Sequence, residues 1–325
     1  MPHPRIVRHV LAAAATLALA ASPAGAQPYP AANKITMIVA FAPGGIADTL
    51  ARLIGQGLSE RLHQSVVVEN HGGAGGNIAA ADVARAAPDG YTLLATTTAL
   101  AINQTLFATK QFSASDFKTV AIVAISPEAL VTSASNPANN LAELIKAANG
   151  RPLNYASPGV GTGSHIEAAY FFKVLAKVPA QPIPFQGGAP AINATIGNQV
   201  DLMATTLGGG AAAQIAGGKR KGLGIAADKR AAVAPNVPTY AEQGFAGFTA
   251  ASWVGFFAPA KTDPQVIAAL NAAINDTLKA TAVEKKLTDM GFDAIVGSPA
   301  QADAMFNAEV QKWGNMVKTL GLSIN

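Results

Sequence analysis

Phe41-Ala42-Pro43-Gly44-Gly45-Ile46-Ala47-Asp48 sets two glycines between an apolar run and a helical pattern. That spacing suits anion capture, because helix-opening N–H groups lack intrahelical partners and meet the positive end of the helix dipole. The stretch offers no evident nucleophile, base or metal ligand, so it points to holding an anion rather than transforming one. Asp48 has two readings: it caps the helix, or it contacts the ligand by accepting an ammonium or orienting a water. We call this stretch loop A.

Two further glycine loops repeat the pattern. Loop B, His71-Gly72-Gly73-Ala74-Gly75-Gly76-Asn77, follows the apolar VVVEN run and opens a helix. Its glycines let main chain approach a ligand closely. Loop C runs from Tyr155 through Ser157, Gly161, Thr162 and Gly163 to His165, where small hydroxyls and free N–H groups suit a carboxylate or phosphate. Gln186-Gly187-Gly188 and the Asn198–Thr206 region add two more strand-end loops. Asp201 in the latter reads as a ligand contact, an inter-lobe hydrogen-bond partner or a strand-edge cap. Thr96-Thr97-Thr98 ends a strand at the same edge, with Thr97 a candidate contact. One polar residue per strand end, drawn from two lobes, describes a cleft that closes on a small ligand.

Other chemistries fit poorly. Loop B has Ile78 where a third dinucleotide-binding glycine belongs, and no lysine follows the loop C glycines as a phosphate loop requires. Ser164 and His165 are neighbours on a helix and point about 100° apart, and no G-x-S-x-G elbow is present. An exported α/β hydrolase acting on a small anion is the alternative reading, but it needs a nucleophile–base–acid set that His63, His71 and His165 do not supply by motif. Cysteine is absent, which removes disulfides and thiol chemistry, and no histidine spacing matches a metal site. No catalytic residue, metal or cofactor is expected.

The segments between the loops describe a two-lobed α/β chain. Strand-like runs at 66–69, 91–95, 120–125, 130–132, 153–156, 182–185, 202–205 and 222–226 alternate with helical patterns at 77–86, 141–148, 164–175, 189–196 and 211–216. That alternation predicts mainly parallel sheets, whose C-terminal edge is where ligands bind. Ser252–Ala258 adds a strand. Asp263–Lys279, Val283–Met290 and Pro299–Leu320 add helices, the first capped by Asp263 with Pro264 in its first turn. Residues 27–127 plus 251–325 form the expected lobe one and 128–250 lobe two, joined by crossovers near 125–130 and 251–257.

Residues 1–26 read as a secretory signal: Arg5 and Arg8, an apolar Val10–Ala21 and an Ala24-Gly25-Ala26 cleavage site. The apolar run is shorter than the ~20 residues of a bilayer span. Without Arg5 and Arg8, the 23 basic residues fall to 21 against 19 acidic ones, so no basic surface for nucleic acid is implied. About 300 residues that are half hydrophobic can build the large core that a chain without cysteine needs.

Taken together, these segments resemble the extracytoplasmic receptors of tripartite tricarboxylate transporters, the Bug receptors. The marks run from Tyr29 to Asn325: the FxPGGxxD turn at 41–48, VVVEN at 66–70, GAGGN at 73–77, ARAAPDGYTLL at 84–94, NYASPGVGTGSH at 154–165, PFQGGAPA at 184–191 and VPTYAEQGF at 237–245. WVGFFAPAKT at 253–262 and MGFDAIVGSP at 290–299 continue them. The resemblance implies a Venus-flytrap fold, type II-like, with two crossovers, in the periplasm. It implies a carboxylate held by main-chain amides and waters, a membrane transporter as partner and a monomer in solution. Carried over by motif, the contacts are Ala42, Pro43, Gly44, Gly45, Ala47 and Asp48, with Ser157, Gly161, Thr162, Gly163 and His165 from lobe two and Asp201 behind. Two departures stand out: His71-Gly72 where members commonly have Arg-Pro, and Ala47 where a hydroxyl is frequent. Each removes a polar group, so the pocket is expected to favour a longer aliphatic or aromatic carboxylate over a small hydroxy acid.

Overall fold

The computed structural model describes residues 29–30 and 33–324; the signal sequence and its cleavage after Ala26 lie outside the described residues. The body that begins at Lys34 is built on one mixed sheet. Strand β1 (Ile35–Val39) is central to the first group and pairs in parallel with β2 (Val66–Asn70) and β3 (Thr92–Thr97). In the second group β5 (Leu153–Ser157) pairs in parallel with β6 (Ala180–Pro184) and β7 (Leu202–Thr206). β1 is short, apolar and nearly fully buried, as a helix-covered parallel strand is, and β5 is buried at every position except Asn154.

Two long strands join the groups. β4 (Phe117–Ser133) runs antiparallel to β9 (Ala251–Pro259) as far as Pro127. Beyond it, β4 pairs antiparallel with β7 and with β8 (Arg220–Ile225). The expectation of two short strands at 120–125 and 130–132, and of mainly parallel pairing, is corrected here. Pro127 reads in sequence as a strand breaker, yet it falls where the ladder changes partners. Its carbonyl accepts from Leu207 N at 3.0 Å, and the next N–H, on Glu128, donates to Ala250 O at 2.9 Å. The strand therefore continues through its proline, with Ser126 opposite Ser252 and Pro127 opposite Ala251.

Helices α1 (Ile46–Leu62), α2 (Asn77–Ala84) and α3 (Ala99–Leu106) belong to the first group; α4 (Leu141–Ala148), α5 (Gly163–Tyr170), α6 (Gly188–Ile196) and α7 (Ala211–Ala216) to the second. A π-helical turn, Phe171–Ala176, extends α5. α3 was not expected from sequence, because its ALAINQTL run is buried along most of its length and shows no polar face to reveal a period. After β9, α8 (Pro264–Leu278) starts on the Asp263 cap, whose carboxylate accepts from Gln265 N. α9 (Thr281–Asp289) and the two-residue β10 (Asp293–Ala294) lead to α10 (Pro299–Leu320). α10 opens with a Ser298–Gln301 capping box and closes at Gly321 in the left-handed region, φ 68°.

α10 folds back on β4 and β9. Phe306 packs edge-on against Trp253 and Phe257 with centroids 6.1 and 4.9 Å apart, and all three are buried. Truncating such a ring to alanine is expected to cost about 3–5 kcal/mol. The C-terminal helix is thus part of the core that fixes the crossovers.

Candidate functional site

Loop A follows β1, and Ala42, Pro43 and Gly44 are exposed. Gly44 has φ 80°, a backbone conformation that glycine enters without strain. Helix α1 takes Gly45, not Asp48, as its N-cap. Asp48 is buried one turn in and binds protein from both oxygens. Oδ2 accepts from Gly44 N at 2.9 Å and Arg52 Nε at 3.1 Å; Oδ1 accepts from Arg52 Nη2 and from Asn70 Nδ2, each at 2.9 Å. Burial works to raise its pKa, but these hydrogen bonds and the Arg52 charge outweigh it and hold the carboxyl below its usual range. The Asp48 carboxylate faces the loop's own groups, and the Gly44 N–H is used inside the protein. The N–H groups of Ile46 and Ala47, in the first turn of a 17-residue helix, have no intrahelical acceptor by position.

Asn70, the last residue of β2, donates Nδ2 to Phe41 O at 3.0 Å as well as to Asp48 and so ties loop A to the neighbouring strand. Its role was not read from sequence, although VVVEN marked it. Loop B lies alongside: a Cβ on Gly72 would sit 3.5 Å from Ala42 N. His71 turns away, with Nδ1 3.0 Å from Asp82 and Nε2 3.7 Å from Glu69. Ile46 packs near Gly209 in the loop after β7, where a Cβ would come within 2.9 Å. Thr97, at the end of β3, accepts from Ala99 N at 3.3 Å and helps start α3.

Loop C reaches loop B through Asn103 of α3, the second residue the sequence did not reveal. Asn103 is buried and donates to Gly75 O at 2.9 Å and Asn77 Oδ1 at 2.8 Å, while its own Oδ1 has no partner. A Cβ on Gly161 would meet that oxygen at 2.9 Å, and one on Gly75 would meet Val160 O at 3.5 Å. Strand ends from both groups therefore adjoin, with loops A, B and C and the 207–210 loop in one neighbourhood.

Most loop C side chains serve the loop itself. Thr162 caps α5, donating to Gly159 O at 2.7 Å and accepting from His165 N at 3.3 Å. The buried Ser157 hydroxyl pairs with His165 Nδ1 at 2.8 Å. Burial pushes the imidazole down to about 4, so it is neutral at pH 7. Ser164 points elsewhere, as neighbours on a helix must, and donates to Glu128 Oε2 at 2.6 Å. Ser252 donates to Glu128 Oε1 at 2.5 Å, and a Cβ on Gly163 would sit 2.5 Å from that same atom. Burial raises Glu128 to about 7 against the opposing hydrogen bonds of Ser164 and Ser252 and the charge of Lys312. Burial likewise raises Glu167 to about 8; the Tyr240 hydroxyl, donating at 2.7 Å, lowers it and the Glu128 charge raises it.

Asp201 is placed away from these loops. It precedes β7, beside Asn154 at the beginning of β5, which is the opposite end of the parallel strands from Ser157. There it pairs with both terminal nitrogens of Arg151 and accepts from Asn154 N at 2.8 Å. The hydrogen bonds from Arg151 hold its pKa down. Of the three readings of Asp201, this geometry matches a strand-edge role, because GNQVDLM shows that a strand is near and not which end of it the carboxylate holds. A cavity of about 340 Å³ lies between Tyr155, His165, Phe172, Lys173, Pro182 and Leu320, and loops A and B do not line it. Among the described residues no helix is long and apolar enough to cross a membrane, and no group of three or more His, Asp or Glu side chains is placed to hold a metal.

Comparison with known proteins puts this geometry in context. Residues 50–322 match TctC, the tripartite tricarboxylate transporter family receptor. Protein BugT of Bordetella pertussis is 32% identical over 313 residues, covering 94% of each chain. A Rhodopseudomonas palustris protein solved with adipate superposes with a TM-score of 0.85 at 31% identity, over 91% of this chain and all of its own. MatC of the same organism, solved with malate, gives 0.80 at 34%, over 88% of this chain and 99% of its own. The fold is that of the two-lobed periplasmic binding proteins. With a sheet divided at two crossovers, strand-end glycine loops from both groups adjoining, and relatives matched along nearly their whole length, this chain belongs to the tripartite tricarboxylate transporter receptors, the Bug family.

Proposed function

We propose that this protein captures a small carboxylate between loops A and C and presents it to the membrane component of a tripartite tricarboxylate transporter, without chemically changing it. Lobe one comprises residues 27–127 and 251–325 and lobe two 128–250; they rotate about β4 and β9. The observation that supports the reading is that loop A, which opens α1, and loop C, which opens α5, both lie against loop B, and that the cationic side chains of loops A and B are engaged within the protein. Arg52 is bound to Asp48 and Asn70, and His71 faces Asp82 and Glu69. An anion there is met by main-chain N–H groups and helix dipoles. Ile46, Ala47, Gly161, Gly163 and Ser164 supply them, with Ala42, Pro43 and Gly45 shaping the wall. The relatives solved with adipate and malate carry carboxylates on the same fold.

Binding without turnover fits the Ser157–His165 pair. It has the composition of a nucleophile and base, but Ser157 is fully buried and no carboxylate orients the imidazole. The protein works as a monomer in the periplasm after removal of residues 1–26. A thermal-shift panel on residues 27–325 tests the reading: at 100 times its dissociation constant a ligand adds ~2.7 kcal/mol. Stabilisation by one class of carboxylate, with adipate or an aromatic diacid above malate and citrate, is the expected result. Turnover of esters, or silence towards every acid, would overturn it.

A further inference from the structure

Glu128 stands where β4, β9 and the N-terminus of α5 meet. It is the first residue of β4 beyond the partner change at Pro127, paired opposite Thr206, and its N–H and carbonyl hold Ala250 and Ala226. Its carboxyl group is wholly buried and receives one hydroxyl from Ser252 on the second crossover and one from Ser164 in the first turn of α5. Gly163, whose missing side chain leaves room for Oε1, is part of the same turn. One carboxyl group thus links both crossovers to the loop that supplies amides to the anion.

Resting on the receptor reading above, we propose that Glu128 is a positioning residue for loop C and that it takes up a proton as the cleft closes on its anion. An ionised carboxylate under Gly163 and Ser164 repels an anion held on the same turn, with little solvent to screen it. A proton on Glu128 removes that repulsion. It costs no hydrogen bond, because a serine hydroxyl can turn from donor to acceptor.

The surroundings favour a protonated group. Glu167, one turn along α5, is buried with only the Tyr240 hydroxyl as donor, and its Oε2 has no partner. His165 is neutral. β7 and β9 bring hydroxyls only, Thr206 and Ser252, and α6 carries no titratable side chain. On α10, Lys312 lies 3.6 Å from Glu309, which compensates its charge. Arg220 and Lys221 of β8 stand opposite Ser133 and Thr132, further along β4. Asp293 of β10 is opposite Ile125 and exposed, and Asp276 of α8 is exposed. Among the described residues no cation hydrogen-bonds the buried pair; burial raises both groups, the Glu128 charge raises Glu167 further, and the hydroxyl donors and the charge of Lys312 on Glu128 only partly offset this.

Calorimetry of adipate and malate binding between about pH 6.5 and pH 8.5, in buffers of different ionisation enthalpy, counts the protons; the diacids stay ionised across that range. Proton uptake per ligand is expected to rise from about a quarter at pH 6.5 to about one at pH 8.5, with affinity falling by up to about tenfold per pH unit. Glu128→Gln removes both effects. Ser164→Ala, which removes a donor to the charged form, moves the midpoint of the profile upward, and it serves if the glutamine variant does not fold. Hydrogen exchange of residues 159–165 without ligand gives an independent reading: protection, corrected for intrinsic rate, rises as pH falls in the wild type and is flat in Glu128→Gln. Equal pH slopes in the wild type and the variant, or no proton uptake, overturn the proposal. Should neither diacid bind at any pH, the receptor reading fails, and the exchange profile still decides the role of Glu128.

Discussion

Loops A and C are built from the same parts, a parallel strand, a glycine turn and a helix N-terminus, yet they handle charge in opposite ways. Loop A carries a buried carboxylate, Asp48, balanced by Arg52, Asn70 and the Gly44 N–H. Loop C rests on Glu128 and Glu167, which have hydroxyl donors and no bonded cation. A carboxylate held by a guanidinium stays ionised through the neutral range; one held by hydroxyls in a dry interior sits at its titration point. The carboxylate of loop A is therefore balanced in place, whereas those beneath loop C can change charge in the neutral range.

The two loops differ most in how they tolerate a methyl group. Gly163→Ala pushes a Cβ to within 2.5 Å of Glu128 Oε1 and Ser252 Oγ. We expect a loss of about 1–3 kcal/mol in chemical denaturation and at least a tenfold weaker diacid. Gly44→Ala meets nothing within 4 Å and suffers only from φ 80°, so about 1 kcal/mol is expected. Equal losses would erase the contrast.

Asp48→Asn comes next. It leaves the Gly44 N–H and Asn70 without their charged acceptor, and about 1–2 kcal/mol should be lost at pH 7. The sign of its pH dependence follows from a lowered pKa: this stabilisation is present above the ordinary carboxylate value of 3.8 and disappears as pH falls below it. Urea midpoints measured from pH 7 down to acid should converge for the wild type and Asp48→Asn.

Loop C should show the reverse trend. With Glu128 near 7 and Glu167 near 8 against 4.5 when unfolded, the folded protein binds more protons between those values. The contribution of these two groups to stability is fully present below pH 4.5 and is lost as pH rises through 7 to 8. Melting temperatures should fall over that interval in the wild type and fall less in Glu128→Gln. A decline that is just as steep in the variant would assign it to other groups. The smallest effect is expected from His71→Ala. Because the ring faces Asp82 and Glu69 on the half-exposed surface, diacid affinity should change less than about twofold.

Which parts of this contrast could be read in the chain? Helices with strong local signals were legible, as in Asp263-Pro264 before α8 and Ser298-Pro299 before α10, where cap and first-turn chemistry sit within a few residues of each other. α3 was not, because a helix buried along most of its length shows no periodic polar face. The unbroken β4 was hidden by Pro127, whose place in the ladder depends on Ala250 and Leu207 far away in sequence. Of the site, all three glycine loops were visible, but not where their polar side chains turn. Asp48 faces its own loop, Asp201 faces the far end of its strand, and Asn103 and Glu128 carry no motif at all.

By itself, the sequence determined what is local or repeated. It set the alternation of strands and helices, the glycine turns that open helix N-termini, the absence of cysteine chemistry and the collinear segments that mark the family. Backbone conformation and capping depend on neighbours a few residues away, so they are written where they act. Only the tertiary structure decided which carboxylates are balanced and which are merely buried. A pKa depends on what lies within a few ångströms: Arg52 and Asn70 reach Asp48, whereas Ser164 and Ser252 reach Glu128 across 36 and 124 residues of chain.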